Sequence, residues 1–218
     1  MNLLAERRRE EKERRRDEIL DAAAAVAAES GIDAVTMDQV AQRARLSRAL
    51  LYVYFHDRQD LQLGLCTRSL ELLIERFAKV VGTAPTGRDR LAGMGLAYVE
   101  FARELPVYFE VLARFEAARR SDIEPAPEGS HLASCLALGD AVHRMLTDAL
   151  QAGMADGSVR TDVGDADGVA TVLWGFMHGA IQLASTKQAL LDRRGLTADA
   201  MLQQALDLAL HSLAGTQR

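Results

Sequence analysis

Apolar residues return at three- and four-residue intervals along nearly the whole chain, the spacing that lines one face of a helix. Ile19, Leu20, Ala23, Val26 and Ala27 form the first such face, and Ser30-Gly31 ends it, with the glycine expected as a left-handed C-cap. Thr36, with Gln39 three residues on, is a capping-box pattern for a short helix that turns Val40 and Ala41 inward and ends near Ala44. A tight connection through Arg45 and Leu46 follows, and Ser47 is placed to cap a further short helix, Arg48 to Tyr54.

Asp57 then opens a long helix carrying Leu61, Leu65, Leu70, Leu73 and Phe77, which Gly82 to Gly87, with Pro85, closes. Helical spacing resumes from Arg88 to Glu104, breaks at Leu105-Pro106 because a residue before proline is pushed out of the helical region, and continues from Val107 to Arg120. Ser121 to Ser130, with Pro125, Pro127 and Gly129, reads as a loop. Further helices are expected at about 131–155, 165–190 and 197–213. No segment alternates as a strand does and none repeats, so the fold class is all-α.

Composition narrows this picture. With 218 residues, 49% of them apolar, 26% charged and a formal net charge of −5, the chain is long and apolar enough to bury a core, which excludes a disordered tail. Two distant cysteines, Cys66 and Cys135, make no disulfide framework and suit a reducing compartment. The first residues lack the apolar stretch of a secretory signal. The most apolar segment, Val169 to Ala184, is interrupted by His178 and Gln182 and falls short of the roughly 18 to 20 residues that span a bilayer. A cytoplasmic protein without membrane partners is the expectation.

An acidic total says little about one face, so local charge decides. From Ala41 to Phe55 the charged residues are Arg43, Arg45 and Arg48, with no acid among them. Upstream, Arg7, Arg8, Arg9, Lys12, Arg14, Arg15 and Arg16 alternate with Glu6, Glu10, Glu11, Glu13 and Asp17. That run reads as a solvated helix laced with one-turn ion pairs, or as a basic arm that follows a DNA groove.

Two short helices joined by a tight turn, the second exposing small, polar and basic residues, form a shape that fits the major groove. Leu46 and Leu51 anchor the second helix, leaving Arg48 and Ala49 outward, where they would read bases. Ile19-Leu20-Asp21-Ala22-Ala23, Gly31, Thr36-Met37, Val40-Ala41, Ala44-Arg45-Leu46-Ser47, Leu51-Tyr52, Tyr54-Phe55 and Leu61 lie in one register. With them, Arg15 to Leu61 resembles the DNA-binding domain of the TetR (tetracycline-repressor-like) transcriptional regulators. The resemblance implies that Thr36 and Tyr52 contact phosphates, that Ser47 and Arg48 open the recognition helix, and that Arg58 brings a basic residue near the backbone. Together with Arg45 and Ala49 these form the expected DNA-contact set. Three positions depart from the family pattern. Arg45 stands where glycine is common in the turn, Leu50 where a threonine often contacts phosphate, and Val53 where a polar or aromatic residue is common. Phe55 reads as core packing, and Tyr52 reads equally well as core or contact.

The domains expected are 13–73, with the helix-turn-helix at about 36–55, and a helical domain over 74–218. The resemblance gives the second domain ligand binding and dimerisation, and the residues bear on each separately. The 165–190 helix is apolar on more than one side, so neighbours are expected to cover it all round; Gly175 and Gly179 allow a close approach there. With the 197–213 helix, where Leu202, Leu206 and Leu210 form a stripe, it suits either a homodimer interface or an internal core. Trp174, His178 and Gln182 share one helical stripe, and Tyr98, Phe101, Phe109, Leu112 and Phe115 are candidate walls of a pocket for a largely apolar effector. Each is equally at home in a core.

His131 and Cys135 lie one turn apart, but His143 is about 18 Å of helix rise from His131, so no metal site is expected. Cys66 is a redox candidate only by its chemistry. No phosphate loop, nucleophile motif or metalloprotease signature appears, so neither an enzyme nor a cofactor is expected. The sequence thus reads as a homodimeric regulator of double-stranded DNA, a repressor released from a palindromic operator by a small molecule. The alternative is a helical adaptor, or a regulator without ligand response.

Overall fold

The computed structural model describes residues 3–117 and 126–215, and the described residues form ten α-helices. These are α1 (Leu3–Ser30), α2 (Met37–Arg43), α3 (Arg48–Tyr54), α4 (Arg58–Val81), α5 (Gly87–Glu104), α6 (Pro106–Ala117), α7 (His131–Asp156), α8 (Ala166–Thr186), α9 (Gln188–Arg193) and α10 (Ala198–Leu213). A 3-10 turn, Ile32–Ala34, joins α1 to α2. The only β pairing among the described residues is an isolated bridge between Val159 and Ala214.

The local signals act mostly as the residue types require. Thr36 Oγ1 accepts the Gln39 N–H at 3.3 Å while Gln39 Oε1 accepts the Thr36 N–H at 2.9 Å, a complete capping box. Ser47 Oγ accepts the Leu50 N–H at 3.2 Å, and Asp57 Oδ1 accepts the Asp60 N–H at 2.8 Å. Gly31 differs from expectation. Its φ of 82° is glycine territory, but its ψ of 151° is extended rather than left-handed helical. Its N–H still closes α1 on the Ala27 carbonyl at 2.8 Å, after which the chain enters the 3-10 turn.

The helix expected over 165–190 is also corrected, because it stops at Thr186 and Lys187 leaves helical geometry at φ −119°, ψ 37°. The Lys187 N–H closes the helix on the Leu183 carbonyl at 2.9 Å, and Ser185 Oγ and Thr186 Oγ1 donate to the Ile181 and Gln182 carbonyls at 2.9 and 2.7 Å. The break at Leu105 is present, with α6 starting on Pro106 itself. The remainder of the helix expected to Arg120, and the loop from Ser121 to Pro125, lie outside the described residues. Pro127 to Ser130 form a turn, the Ser130 N–H donating to the Pro127 carbonyl at 3.1 Å.

Two compact units emerge, and they do not divide the chain at a single point. One comprises Met1–Ser69 with Val107–Cys135, the other Leu70–Pro106 with Leu136–Arg218. In the first, Ile19, Leu20 and Ala23 of α1, Val40 of α2, Leu51 and Phe55 around α3, and Leu61 and Leu65 of α4 are buried together with Tyr108, Phe109 and Leu112 of α6. Polar ties reinforce it: Ser69 Oγ donates to the Tyr108 carbonyl at 2.8 Å, and Arg114 holds both Asp33 carboxylate oxygens at 2.7 and 2.9 Å. In the second, Phe77, Leu91, Met94, Tyr98, Phe101, Leu150, Met177, Ile181, Leu206 and Leu213 are buried, and α10 packs on both α8 and α5. Gly87 is required there, because a Cβ would stand 2.0 Å from the Gly153 backbone nitrogen.

Candidate functional site

α3 is a short helix with one anchored side and one bare side. Leu51 and the following Phe55 are fully buried, whereas Arg48, Ala49, Leu50, Tyr52 and Val53 are all exposed. Leu51 therefore fixes the roll of the helix, and the roll presents Arg48, Ala49 and Tyr52 outward. Arg48 is held in place before any partner arrives. Its Nη1 lies 3.1 Å from the Asp38 carboxylate, its Nη2 donates to the Tyr52 hydroxyl at 3.4 Å, and its guanidinium sits 5.6 Å from the Tyr52 ring centroid. The Tyr52 hydroxyl and then the Asp38 charge push its pKa further above the ordinary value, so it is a fixed cation. The pair is exposed on both sides, so a base edge or phosphate competes with Asp38 in full solvent.

The connection before α3 turns on Arg45, which has φ 56° and is the only non-glycine residue with positive φ among those described. Its backbone holds the turn, with its N–H donating to Gln42 and the Leu46 N–H donating to Ala41 at 2.9 Å. The side chain is exposed and makes no hydrogen bond or ion pair among the described residues, which leaves a cation beside α3. Thr36 is exposed, its hydroxyl occupied by the cap and by Gln39 Oε1 at 2.8 Å. Ser47 is exposed as a cap, and Arg58 spends one nitrogen on the Asp33 carbonyl at 2.7 Å. Arg43 is tied to Glu29 at 2.6 Å. All seven expected contact residues thus belong to one compact unit and all are exposed. Asp38, the partner of Arg48, was not anticipated; its place in the first turn of α2 reads from sequence only as a favourable helix-dipole charge.

The second unit contains a small apolar cavity of about 40 Å³, with Phe77, Met94, Tyr98, Trp174, Met177 and Leu206 among its walls. Tyr98 stacks on Trp174 with centroids 4.8 Å apart, and its hydroxyl shares a 2.7 Å hydrogen bond with His178 Nδ1. Burial pushes the His178 imidazole below its ordinary pKa, favouring the neutral ring. Of the expected pocket residues, the structure brings Tyr98, Trp174 and His178 together. Phe101 is buried behind Tyr98, 6.4 Å away ring to ring and under the Arg76 guanidinium, and Gln182 is exposed. Phe109, Leu112 and Phe115 belong to the other compact unit, because α6 after Pro106 joins it. Leu91, Met94 and Gly95, which share a face of α5 with Tyr98 at three- and four-residue spacing, are wall residues that the sequence did not single out, though the periodicity was readable.

Within the chain α8 is not covered all round. Val172 is 69% exposed and Phe176 44%, with Leu183 also exposed and Gly175 and Gly179 bare between them. On α10, Leu202 and Leu206 turn inward and are buried, while Leu208 is 59% exposed. Its internal neighbours, α10 with α5 and α9, leave the α8 stripe bare. The remaining candidates pack internally. His131 stacks 5.1 Å from Phe55 and shares a 2.7 Å contact with Asp60, Cys135 Sγ donates to the Leu63 carbonyl at 3.2 Å, and the Cys66 thiol is pushed up by Cys135 and by burial. Among the described residues no helix is long and apolar enough to cross a membrane.

Known proteins with related sequences and folds match both units. A family described as bacterial regulatory proteins, tetR family, matches residues 19–64, and one described as the tetracyclin repressor-like C-terminal domain matches residues 91–209. The HTH-type transcriptional repressor KstR2 of Mycolicibacterium smegmatis is 29% identical over 145 residues, 66% of this chain and 67% of that protein. The structure of the ketosteroid transcriptional regulator KstR2 of Mycobacterium tuberculosis is similar with a TM-score of 0.65 at 25% identity, covering 92% of this chain and 95% of that one. The transcriptional regulator FadR from Bacillus subtilis, solved in complex with stearoyl-CoA, shares the fold with a TM-score of 0.65 at 17% identity, over 90% of this chain and 98% of that one.

Proposed function

Because the chain belongs to the tetR family of bacterial regulatory proteins, whose members are transcriptional regulators and not enzymes, we propose that it is a homodimeric cytoplasmic repressor. It binds a palindromic operator and leaves it when a small, largely apolar molecule binds. The observation that carries the DNA half of this reading is the rolled α3, anchored by Leu51 with Arg48 stacked and aimed outward. Arg48 and Ala49 read base edges, Arg45, Ser47, Tyr52 and Arg58 supply phosphate donors, and Thr36 joins them when its hydroxyl turns from Gln39 Oε1 to a phosphate oxygen. The stripe Val172, Phe176 and Leu183 supports a two-fold interface formed by α8, with Leu208 of α10. Two-fold symmetry then sets half-sites one helical turn apart, about 34 to 36 Å.

The ligand half is supported by the apolar wall around Tyr98 and Trp174, with the Tyr98–His178 hydrogen bond as its polar feature. The two relatives that handle ketosteroid regulation and stearoyl-CoA point to apolar effectors in the same fold. A cavity of about 40 Å³ is far below the roughly 300 Å³ that a drug-sized ligand needs. An effector therefore has to part the helices, and the state it selects differs from the one described. That differential affinity is the only route by which a ligand shifts the population that fits DNA.

The test is retention of sheared genomic DNA from the source organism on the purified protein at near-physiological salt, followed by sequencing. A few fragments sharing one imperfect palindrome are expected, with Arg48→Ala relaxing the shared motif while leaving the thermal melt unchanged. Retention without a shared site would favour the adaptor reading.

A further inference from the structure

The first turns of α1 and the C-terminal end of α3 border an open cleft of about 410 Å³, lined by Arg7, Arg8, Glu11, Lys12, Val53 and Tyr54. All six residues belong to the same compact unit. Arg8 and Lys12 lie one helical turn apart on one face of α1, with Arg7 beside Arg8. The ion pairs of this helix involve other residues. Arg9 pairs with Glu13 at 3.7 Å, Arg14 with Glu11 and Glu18 at 2.6 and 2.9 Å, and Arg15 with Glu18 at 2.7 Å. Arg7, Arg8 and Lys12 have no ion-pair partner among the described residues, and all three are exposed.

The cleft's single carboxylate does not balance them. Glu11 is held by two hydrogen bonds from Arg14, which keep its pKa below the ordinary carboxylate value, and Arg15 approaches it at 3.8 Å. The opposite wall offers no countercharge, since Val53 is apolar and 68% exposed and Tyr54 presents a neutral ring. Three cations therefore converge on a cleft whose one anion is already shared with two other arginines. A site of this kind takes a polyanion.

The position identifies which one. From Arg48 to Val53 is about 7.5 Å of helix rise, so the cleft lies at the other end of the helix whose outer face carries Arg48, Ala49 and Tyr52. A duplex seated on that face carries a phosphate about every 3.4 Å along each strand, which continues past the end of α3. We propose that Arg7, Arg8 and Lys12 form a second, sequence-independent contact with the phosphodiester backbone of DNA flanking each half-site. The contact rests on the DNA-binding reading above and extends it to residues outside the helix-turn-helix. Long basic stems lie along the Val53 and Tyr54 surface while their charged ends reach phosphate oxygens. The exposed valine at position 53 is thereby a floor for the cleft rather than a reader of bases.

The test uses the full-length protein and the variant Arg7→Ala/Arg8→Ala/Lys12→Ala, with fluorescence anisotropy on an operator duplex carrying flanks and on an unrelated duplex of equal length. Affinity is measured from about 50 to 200 mM salt. Each phosphate contact contributes about 0.9 to the slope of log affinity against log salt, and the two subunits of the dimer bring about six such contacts, so the variant slope should fall by about 5.4, a roughly 2,000-fold smaller change in affinity over that range. Both duplexes should weaken by the same factor, leaving their ratio unchanged. A second variant, Arg7→Lys/Arg8→Lys, keeps the charges and should retain the wild-type slope, which separates lost charge from any disturbance of α1. An unchanged slope in the alanine variant, or a loss confined to the operator, overturns the proposal. Wild-type protein that binds no duplex at any salt overturns both this contact and the DNA-binding reading, whereas wild-type binding with the alanine variant's slope overturns this contact alone.

Discussion

Replacing Arg45 by glycine should stabilise the fold and weaken DNA binding at once. The residue sits at φ 56° in the turn between α2 and α3, where a Cβ is crowded against the following carbonyl. That conformation costs an L-residue about 1–2 kcal/mol, and glycine returns about 0.5–1 kcal/mol of this through its freer unfolded chain. The arginine side chain makes no hydrogen bond or ion pair among the described residues, so its removal costs the fold nothing further. The net expectation for Arg45→Gly is a gain of about 0.5–1 kcal/mol, or roughly 1–4 °C in melting temperature for a chain of this length. Melting must be compared at one protein concentration, because a dimer's midpoint depends on it. Arg45→Ala is the control: it keeps the left-handed strain and loses the same charge, so it should melt no higher than the parent. Both variants should lose about 1.8 from the salt slope of DNA binding, about 0.9 for each subunit of the dimer. If Arg45→Gly melts at or below the parent temperature, the turn is not strained as its dihedral implies. If it melts higher yet binds DNA unchanged, Arg45 is not among the contacts.

Two further outcomes are expected. Phe176→Glu places a carboxylate in the exposed stripe of α8 and should convert the dimer to a folded monomer by sedimentation, whereas Leu206→Glu should unfold the protein because Leu206 is buried beside the cavity; a monomeric parent at micromolar concentration would refute the interface. Burial lowers the His178 pKa from its ordinary 6.5, so the unfolded chain takes up a proton more readily than the folded one, and the stability present above about pH 6.5 is lost as pH falls through the folded value. The melting temperature should therefore drop from about pH 7.5 to 5.5, and His178→Gln should flatten that drop.

Much of the DNA-binding unit was legible because its signals are local. A capping box needs only Thr36 and Gln39, a helix start only Ser47 or Asp57, and a bent segment only Leu105 before Pro106, each acting within one turn of itself. The strain at Arg45 was legible too, as a bulky residue where the resemblance calls for glycine, and its positive φ is the outcome. The end of α8 was not, because no glycine or proline marks a stop around Thr186 and Lys187.

The cavity belongs to a different class of question. Helical periodicity marks a residue as inward without saying which neighbour it meets, so Tyr98 and Phe109, Leu112 and Phe115 read alike as walls for the Trp174–His178 stripe. Only packing separated them, since α6 beyond Pro106 joins the unit that holds α1 to α3. The same applies to α1, whose alternating charges read equally well as a laced helix or a DNA-following arm. The structure pairs Arg9, Arg14 and Arg15 along the helix and leaves Arg7, Arg8 and Lys12 facing Val53 and Tyr54. Sequence by itself determined most of the helices, the caps at Thr36, Ser47 and Asp57 and the buried anchor of α3, because hydrogen bonds and burial within a turn or two fix them. Tertiary structure alone decided which apolar faces meet, which charges stay unpaired and which stripe is left bare, because those depend on residues far apart in the chain arriving side by side.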